Sequence, residues 1–131
     1  MPDDKVVQAA IYCRLAREDE VGIEEQLWVM REYAARNGYQ NSTEYIDNGV
    51  NGLSMDRPEL ARMNADIRGG RINAVLVKNA ARLFRNPCLF IDWLADVQSH
   101  GCLSVISAQE GNLEDVLRPL WQHDYSVGST V

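Results

Sequence analysis

The sequence predicts an α/β domain with a mostly parallel sheet of four to five strands flanked by helices. Short apolar runs alternate with longer segments whose apolar residues recur at helical spacing, in the order strand, helix, strand, helix, strand, helix, strand. The clearest run, Ile72 to Val77, is apolar at all but one position, as suits a strand covered by helices on both faces. Glycine and Asn/Asp clusters punctuate the chain at the joins between these segments.

Taken in order, Ala9 to Leu15 is short and mainly apolar and suits a buried strand. Ile23, Leu27, Met30 and Ala34 then mark one face of a helix, with Glu24 and Glu25 favourable at its positive N-terminal end and Gly38 as its stop. Tyr39 to Ile46 alternates in character and runs into the turn signal Asp47-Asn48-Gly49. Asp56-Arg57-Pro58-Glu59 reads as a helix start, with Asp56 as the cap, Pro58 in the first turn and Glu59 three residues after the cap. Leu60, Met63 and Ile67 form the buried stripe of that helix, and Gly69-Gly70 end it. After the Ile72 run, Asn86-Pro87 opens a third helix that turns Phe90, Trp93, Leu94 and Val97 inward and stops at Gly101. Leu103 to Ala108 is the fourth strand, and a short helix is expected around Leu113 to Trp121, with a frayed end beyond it.

The chain has 131 residues, 46% hydrophobic and 24% charged, the balance of a single soluble domain able to close one core. Thirteen Lys and Arg against nineteen Asp and Glu give a net charge of −6, which argues against non-specific coating of nucleic acid. A small basic pocket on an acidic body remains compatible with that total. Cys13, Cys88 and Cys102 fit neither a zinc spacing nor an even disulfide set and read as buried free thiols in a reducing compartment. His100 and His123 have no ligand partners nearby in the sequence, so no metal is expected. Met1-Pro-Asp-Asp opens no signal peptide and no apolar run approaches membrane length, so the expectation is a cytoplasmic protein without membrane association. Trp28, Trp93 and Trp121 occupy helical positions, where core or interface roles are commoner than base stacking.

Folds of this class bind ligands outside the carboxyl ends of their strands. Those ends are the loops Arg14 to Glu20, Asp47 to Arg57 and Lys78 to Asn86, and all three hold arginines: Arg14, Arg17, Arg57, Arg82 and Arg85. A single loop arginine is usually just solvated. Several converging on one end of a sheet make an anion site, since a guanidinium fork matches phosphate oxygens in pairs.

The same loops carry a resemblance to a known family. Ala10-Ile-Tyr-Cys-Arg14-Leu-Ala16-Arg resembles the first-strand signature of the serine site-specific recombinases (resolvases and invertases), in which tyrosine, a small residue, arginine, an aliphatic residue and then serine occur. Ile23-Glu-Glu-Gln26 resembles the start of the following helix. Tyr45-Ile-Asp47-Asn-Gly49-Val-Asn51-Gly52-Leu-Ser-Met-Asp56-Arg57-Pro58 is similar to the family's Asp-x-Gly-x-Ser-Gly loop followed by Asp-Arg-Pro, and Arg82-Leu-Phe84-Arg85-Asn86 to its Arg-Leu-Gly-Arg-Asn. The match spans roughly residues 8 to 111 with order and separation kept. It divides the chain into residues 1–111, a recombinase-type catalytic domain, and 112–131, a short C-terminal helix and tail. Relatives continue into a long oligomerisation helix and a DNA-binding domain, both expected to be missing here, because Glu114 to His123 gives at most three turns and Pro119 interrupts them.

The resemblance implies a DNA strand transferase that needs neither cofactor nor metal. A serine hydroxyl attacks a phosphodiester, leaves a phosphoserine-linked end and a free sugar hydroxyl, and the reaction reverses after subunits exchange. Charge building on phosphorus must be held by preorganised donors, and without a metal these are arginines. Arg14, Arg57, Arg82 and Arg85 take the positions of the family's phosphate-binding arginines, with Gln26 and Asn51 as polar support. The nucleophile position is Ala16, which has no hydroxyl, so the domain is expected to be inactive as written. Ala81 replaces an aspartate or serine, Asn51 a serine and Phe84 a glycine. Ser54 lies in the adjacent loop, but the family places a serine there without using it for attack. Four signature changes at once favour natural divergence over a single engineered change.

The first functional expectation is therefore a DNA recombination domain that keeps its arginine phosphate pocket and has lost its own chemistry. Its partners would be DNA, held weakly by the isolated domain, and a second copy or an active recombinase. The alternative is a non-enzymatic regulatory or protein-interaction module on the same scaffold. A flavodoxin-type nucleotide domain is disfavoured by the lack of a glycine-rich phosphate loop after the first strand.

Overall fold

The computed structural model describes residues 7–51 and 56–116. The elements are β1 (Ala9–Leu15), α1 (Glu20–Arg36), β2 (Ser42–Asn48), α2 (Pro58–Arg68), β3 (Ala74–Val77), a 3₁₀ turn (Ala80–Arg82), α3 (Pro87–Ser99), β4 (Ser104–Ser107) and β5 (Gly111–Asn112). They build one sheet in the order β2-β1-β3-β4-β5, parallel throughout except for the antiparallel β4–β5 pair. The predicted α/β class with a mostly parallel sheet is the observed one.

β1 lies inside the sheet with helices over both faces, which explains the burial of every residue but its last, Leu15. Strand alternation sends Ala9, Ile11 and Cys13 toward α1, where Ile23, Leu27, Met30 and Ala34 meet them. Ala10 and Tyr12 go the other way, into a core built with α2 and α3 from Leu60, Met63, Ile67, Phe90, Trp93, Leu94 and Val97. The helical stripes read from the sequence are the buried ones.

Local boundaries differ in instructive ways. β2 begins later than the alternating pattern and runs through Asp47 and Asn48, because pairing with β1 continues to Leu15 opposite Asn48. The chain then turns at Gly49, whose φ of +91° is open to glycine at little cost. The cap of α2 is not Asp56. Arg57 holds the N-cap position without a side-chain cap bond, and the carboxylate of Asp47 reaches across from β2 to accept from the backbone N–H of Glu59 at 3.0 Å and Leu60 at 3.1 Å. Asn86 caps α3 as expected, accepting from the N–H of Cys88 and Leu89. Cys13 and Cys102 are buried, but Cys88 is exposed on the first turn of α3, which corrects the expectation of three buried thiols. Residues 113–116 begin a helix, and the remainder of the expected C-terminal helix, with Trp121, lies outside the described residues. No helix among the described residues is long and apolar enough to cross a membrane.

Candidate functional site

Three loops meet at the carboxyl ends of β1, β2 and β3, and backbone bonds lock them. The carbonyl of Leu15 accepts from the N–H of Gly49 at 2.8 Å and of Val50 at 2.9 Å. Gln26, buried on α1, accepts from the Arg14 N–H at 3.1 Å and donates its amide to the Arg14 carbonyl at 3.3 Å. Both backbone groups of Arg14 are thereby held by one side chain, a support role executed through the main chain. Ala16 follows on the exposed bend between β1 and α1, and Asp19 then caps α1 by accepting from Gly22.

Arg14 and Arg57 converge on the 3₁₀ turn after β3. Arg14 donates through Nε to the Arg82 carbonyl at 2.9 Å, through Nη2 to the Ala81 carbonyl at 2.6 Å, and through Nη1 to the Val50 carbonyl at 2.8 Å. Arg57 donates to the carbonyls of Leu83 and Arg82 and, through Nε and Nη2, to the Tyr12 hydroxyl at 3.1 and 2.9 Å. Its guanidinium also lies 5.3 Å from the Tyr12 ring centroid and 5.0 Å from that of Phe84. The residue that departs from the family's glycine thus packs one side of Arg57, and it packs in turn against Phe90 and Trp93. Tyr12 donates its hydroxyl to Asp47 at 2.7 Å, so Arg57, Tyr12, Asp47 and the N-terminus of α2 form one buried chain of bonds. Burial, then the hydrogen bond to Asp47, hold the Tyr12 hydroxyl far above its ordinary pKa, so it stays a donor.

The outer arginines are placed differently. Arg82 is half-buried and donates Nη1 to the Arg14 carbonyl at 3.3 Å, while its Nε is buried without an acceptor. Arg85 and Arg17 are exposed. Burial lowers the pKa of Arg14, and the charges of Arg57, Arg82 and Arg85 lower it further. Arg57, Arg82 and Arg85 therefore all lie within electrostatic reach of Arg14, and none of the four forms a salt bridge with a described carboxylate. Ala81 and Asn51 are exposed beside them, and Ser54 lies outside the described residues.

The sequence reading did not identify Glu110, thirty residues from its partner, whose carboxylate accepts from the Ala80 N–H at 2.7 Å and pins the start of the 3₁₀ turn. Ser107 helps from below: its hydroxyl donates to the Lys78 carbonyl and accepts from the N–H of Gln109 and Glu110. No motif in the sequence announces either contact. Beside the turn, a cleft of about 550 Å³ opens between α1 and the ends of β1 and β3. No group of three or more His, Cys, Asp or Glu among the described residues is arranged to hold a metal ion.

Against known proteins, the family model described as "Resolvase, N terminal domain" matches residues 9–119. The fold is similar to the N-terminal catalytic domain of TP901-1 integrase, with 25% identity over 92% of this chain and 98% of that one and a TM-score of 0.77. It is also similar to a resolvase family site-specific recombinase from Streptococcus pneumoniae, 24% identical over 95% of this chain and 92% of that one, with a TM-score of 0.72. The catalytic domain of ISC1926 TnpA, an IS607-like serine recombinase, is similar over 77% of this chain and 68% of that one, with 24% identity and a TM-score of 0.67. No curated protein matches the chain.

Proposed function

The chain belongs to the resolvase family of serine recombinases, as a catalytic-type domain that serves DNA recombination, and from that premise we propose that it holds DNA phosphate without cleaving it. One observation carries the reading. Arg57, Arg82 and Arg85 all place their charges within reach of Arg14 at the carboxyl ends of the strands, and no described carboxylate forms a salt bridge with any of the four. Such a cluster is electrostatically under-compensated, and an anion at its mouth relieves the strain of like charges.

The division of labour follows from burial. Arg14 and Arg57 supply a fixed positive field while their donors brace the 3₁₀ turn. Arg82 and Arg85, on that turn and just beyond it, are the groups able to reach a phosphate oxygen. Gln26 fixes the backbone leading to residue 16, and Asn51 borders the same mouth. At the position of the family's nucleophile the described residues offer no attacking atom, since the Ala16 methyl carries no lone pair and no acidic proton. Loss of a nucleophile in a comparable serine site costs about 10⁶-fold in rate. The natural partners in this reading are DNA and a second subunit that supplies chemistry.

The test is a denaturing gel after incubation with supercoiled plasmid carrying candidate recombination sites, alongside a phosphate titration followed by thermal shift. Expected outcomes are no covalent adduct and stabilisation by phosphate that Arg82→Ala reduces. A covalent adduct formed by the chain with Ala16 in place would refute the non-cleaving role. A second reading, a protein-interaction module, draws on the commitment of Arg14 and Arg57 to backbone carbonyls, and it expects no phosphate effect at all.

A further inference from the structure

The cleft beside the arginine turn has two walls of opposite chemistry. The α1 wall presents Trp28, Val29 and the Glu25 carboxylate, and the wall from the end of β3 presents Lys78 and Arg82. The sheet order places it at a particular point. From β1 the chain goes out to β2 on one side and returns to β3 on the other, so the connection reverses between β1 and β3. In open α/β sheets that reversal is where ligands bind, outside the carboxyl ends of the strands.

Trp28 is 64% exposed, unlike Trp93, which is buried and donates its indole N–H to Asn64 at 2.8 Å. Of the core or interface roles expected for the helical tryptophans, Trp93 takes the core one and Trp28 lies on the surface. Opposite it, the Arg82 guanidinium is under-bonded, with one long bond to the Arg14 carbonyl and a buried Nε that has no acceptor. Gln26 also lines the cleft, but its amide is spent on the Arg14 backbone and reads nothing.

An inorganic anion would use only the cationic wall and would be repelled by Glu25. An apolar peptide would leave Lys78 and Arg82 idle. A nucleotide matches both walls. We infer that this cleft takes one nucleotide, with its phosphate on Lys78 and Arg82 and its base stacked on Trp28, where Glu25 accepts from a base N–H. The inference rests on the phosphate-holding reading above and deepens it, since the nucleotide belongs to a DNA strand with that base out of its stack.

The experiment uses the full 131-residue chain, labelled for NMR, titrated with deoxyadenosine 5′-monophosphate, deoxyadenosine and inorganic phosphate. The monophosphate should bind about tenfold or more tightly than phosphate, the size expected for one base stacked on an aromatic ring. It should shift the Trp28 indole signal and leave that of Trp93 in place. Trp28→Ala should drop its affinity to the level of phosphate, Trp28→Phe should retain most of it, and Arg82→Ala should weaken both ligands. If monophosphate and phosphate bind equally, or Trp28→Ala changes nothing, the nucleotide inference falls and the phosphate reading stands. Deoxyadenosine binding as tightly as its monophosphate overturns the cationic wall. If no phosphate-bearing ligand shifts any signal, both readings fall together. Concentration-dependent broadening without ligand, abolished by Trp28→Ala, would make this wall a self-association surface and overturn the inference.

Discussion

Arg57 and Arg85 share one end of the sheet, and the sequence marks both as phosphate-binding candidates, yet their surroundings have little in common. Arg57 is 1% exposed, clasped between the rings of Tyr12 and Phe84, and its N–H groups end on two backbone carbonyls and a hydroxyl. Arg14 is 3% exposed and equally committed, to three carbonyls. Arg85 stands in solvent on the chain leading into α3, and Arg82 is intermediate. A guanidinium with five N–H donors can be a strut or a ligand group, and what decides is whether carbonyls already occupy the fork. The inner pair builds the turn, and the outer pair is carried by it.

The sharpest way to break that contrast is to remove one member of each pair. Arg57→Met should leave the buried Leu83 carbonyl without its side-chain donor and take one bond each from the Arg82 carbonyl, which keeps Arg14, and from the Tyr12 hydroxyl, which keeps Asp47. With about 1–3 kcal/mol for the unsatisfied carbonyl and about 1 kcal/mol for each further bond lost, the loss should reach about 3 kcal/mol. Arg85→Ala should stay within about 0.5 kcal/mol of the parent, as surface changes do. Urea denaturation of both variants measures this directly. Equal losses would mean that the inner and outer arginines do not differ in kind.

Next in size is Asp47, which ties the inner pair to the rest of the fold. It accepts from Tyr12 and from the first two free N–H groups it meets on α2. Asp47→Ala removes a cap, at about 1 kcal/mol, and strands a buried hydroxyl, at about 1–2 kcal/mol more. The expected loss is about 2–3 kcal/mol, with Asp47→Asn milder because it retains an acceptor. A loss below about 0.5 kcal/mol would show that the chain from Arg57 to α2 carries no energy.

Asp47 also marks the limit of what the sequence disclosed. The order of elements and the inward residues of each helix were legible, because apolar periodicity is a local signal that burial obeys. The gathering of arginines at one sheet end was legible too, because strand ends in such folds point the same way. A cap delivered across the sheet was not, since Asp56 stands where local rules put a cap and Asp47 reaches α2 only through tertiary placement. Glu110 on the Ala80 N–H is hidden for the same reason. The burial of Arg14 and Arg57 was equally hidden, because an arginine's letter is the same whether its fork meets water or carbonyls. β5, two residues long, carries no pattern at all.

The smallest expected effect separates the two regions by pH. Arg14 is lowered by burial and by its charged neighbours, but an arginine stays protonated across any working range, so its own titration adds no pH dependence. The carboxylates of Asp66, in the last turn of α2, and Glu44, within β2, behave otherwise. The Tyr45 hydroxyl, at 2.6 Å, and then Arg71, at 2.9 Å, hold the Asp66 carboxyl below its ordinary range, and Arg31 does the same for Glu44. A carboxyl lowered by folding adds stability that is present above its unfolded pKa, near 4, and is lost as the pH falls through its folded value. Arg31 and Arg71 are 51% and 65% exposed, so solvent screens these pairs, and each is worth less than about 1 kcal/mol. Stability should therefore be level from about pH 7 to 5 and decline below about 4. Asp66→Asn with Glu44→Gln should flatten part of that decline and cost little at neutral pH. Arg57→Met should instead lower the whole curve and keep its acid limb. If Arg57→Met abolishes the acid limb while the Asp66→Asn, Glu44→Gln variant leaves it intact, the tunable charge of this domain lies in its arginine core and the contrast is reversed.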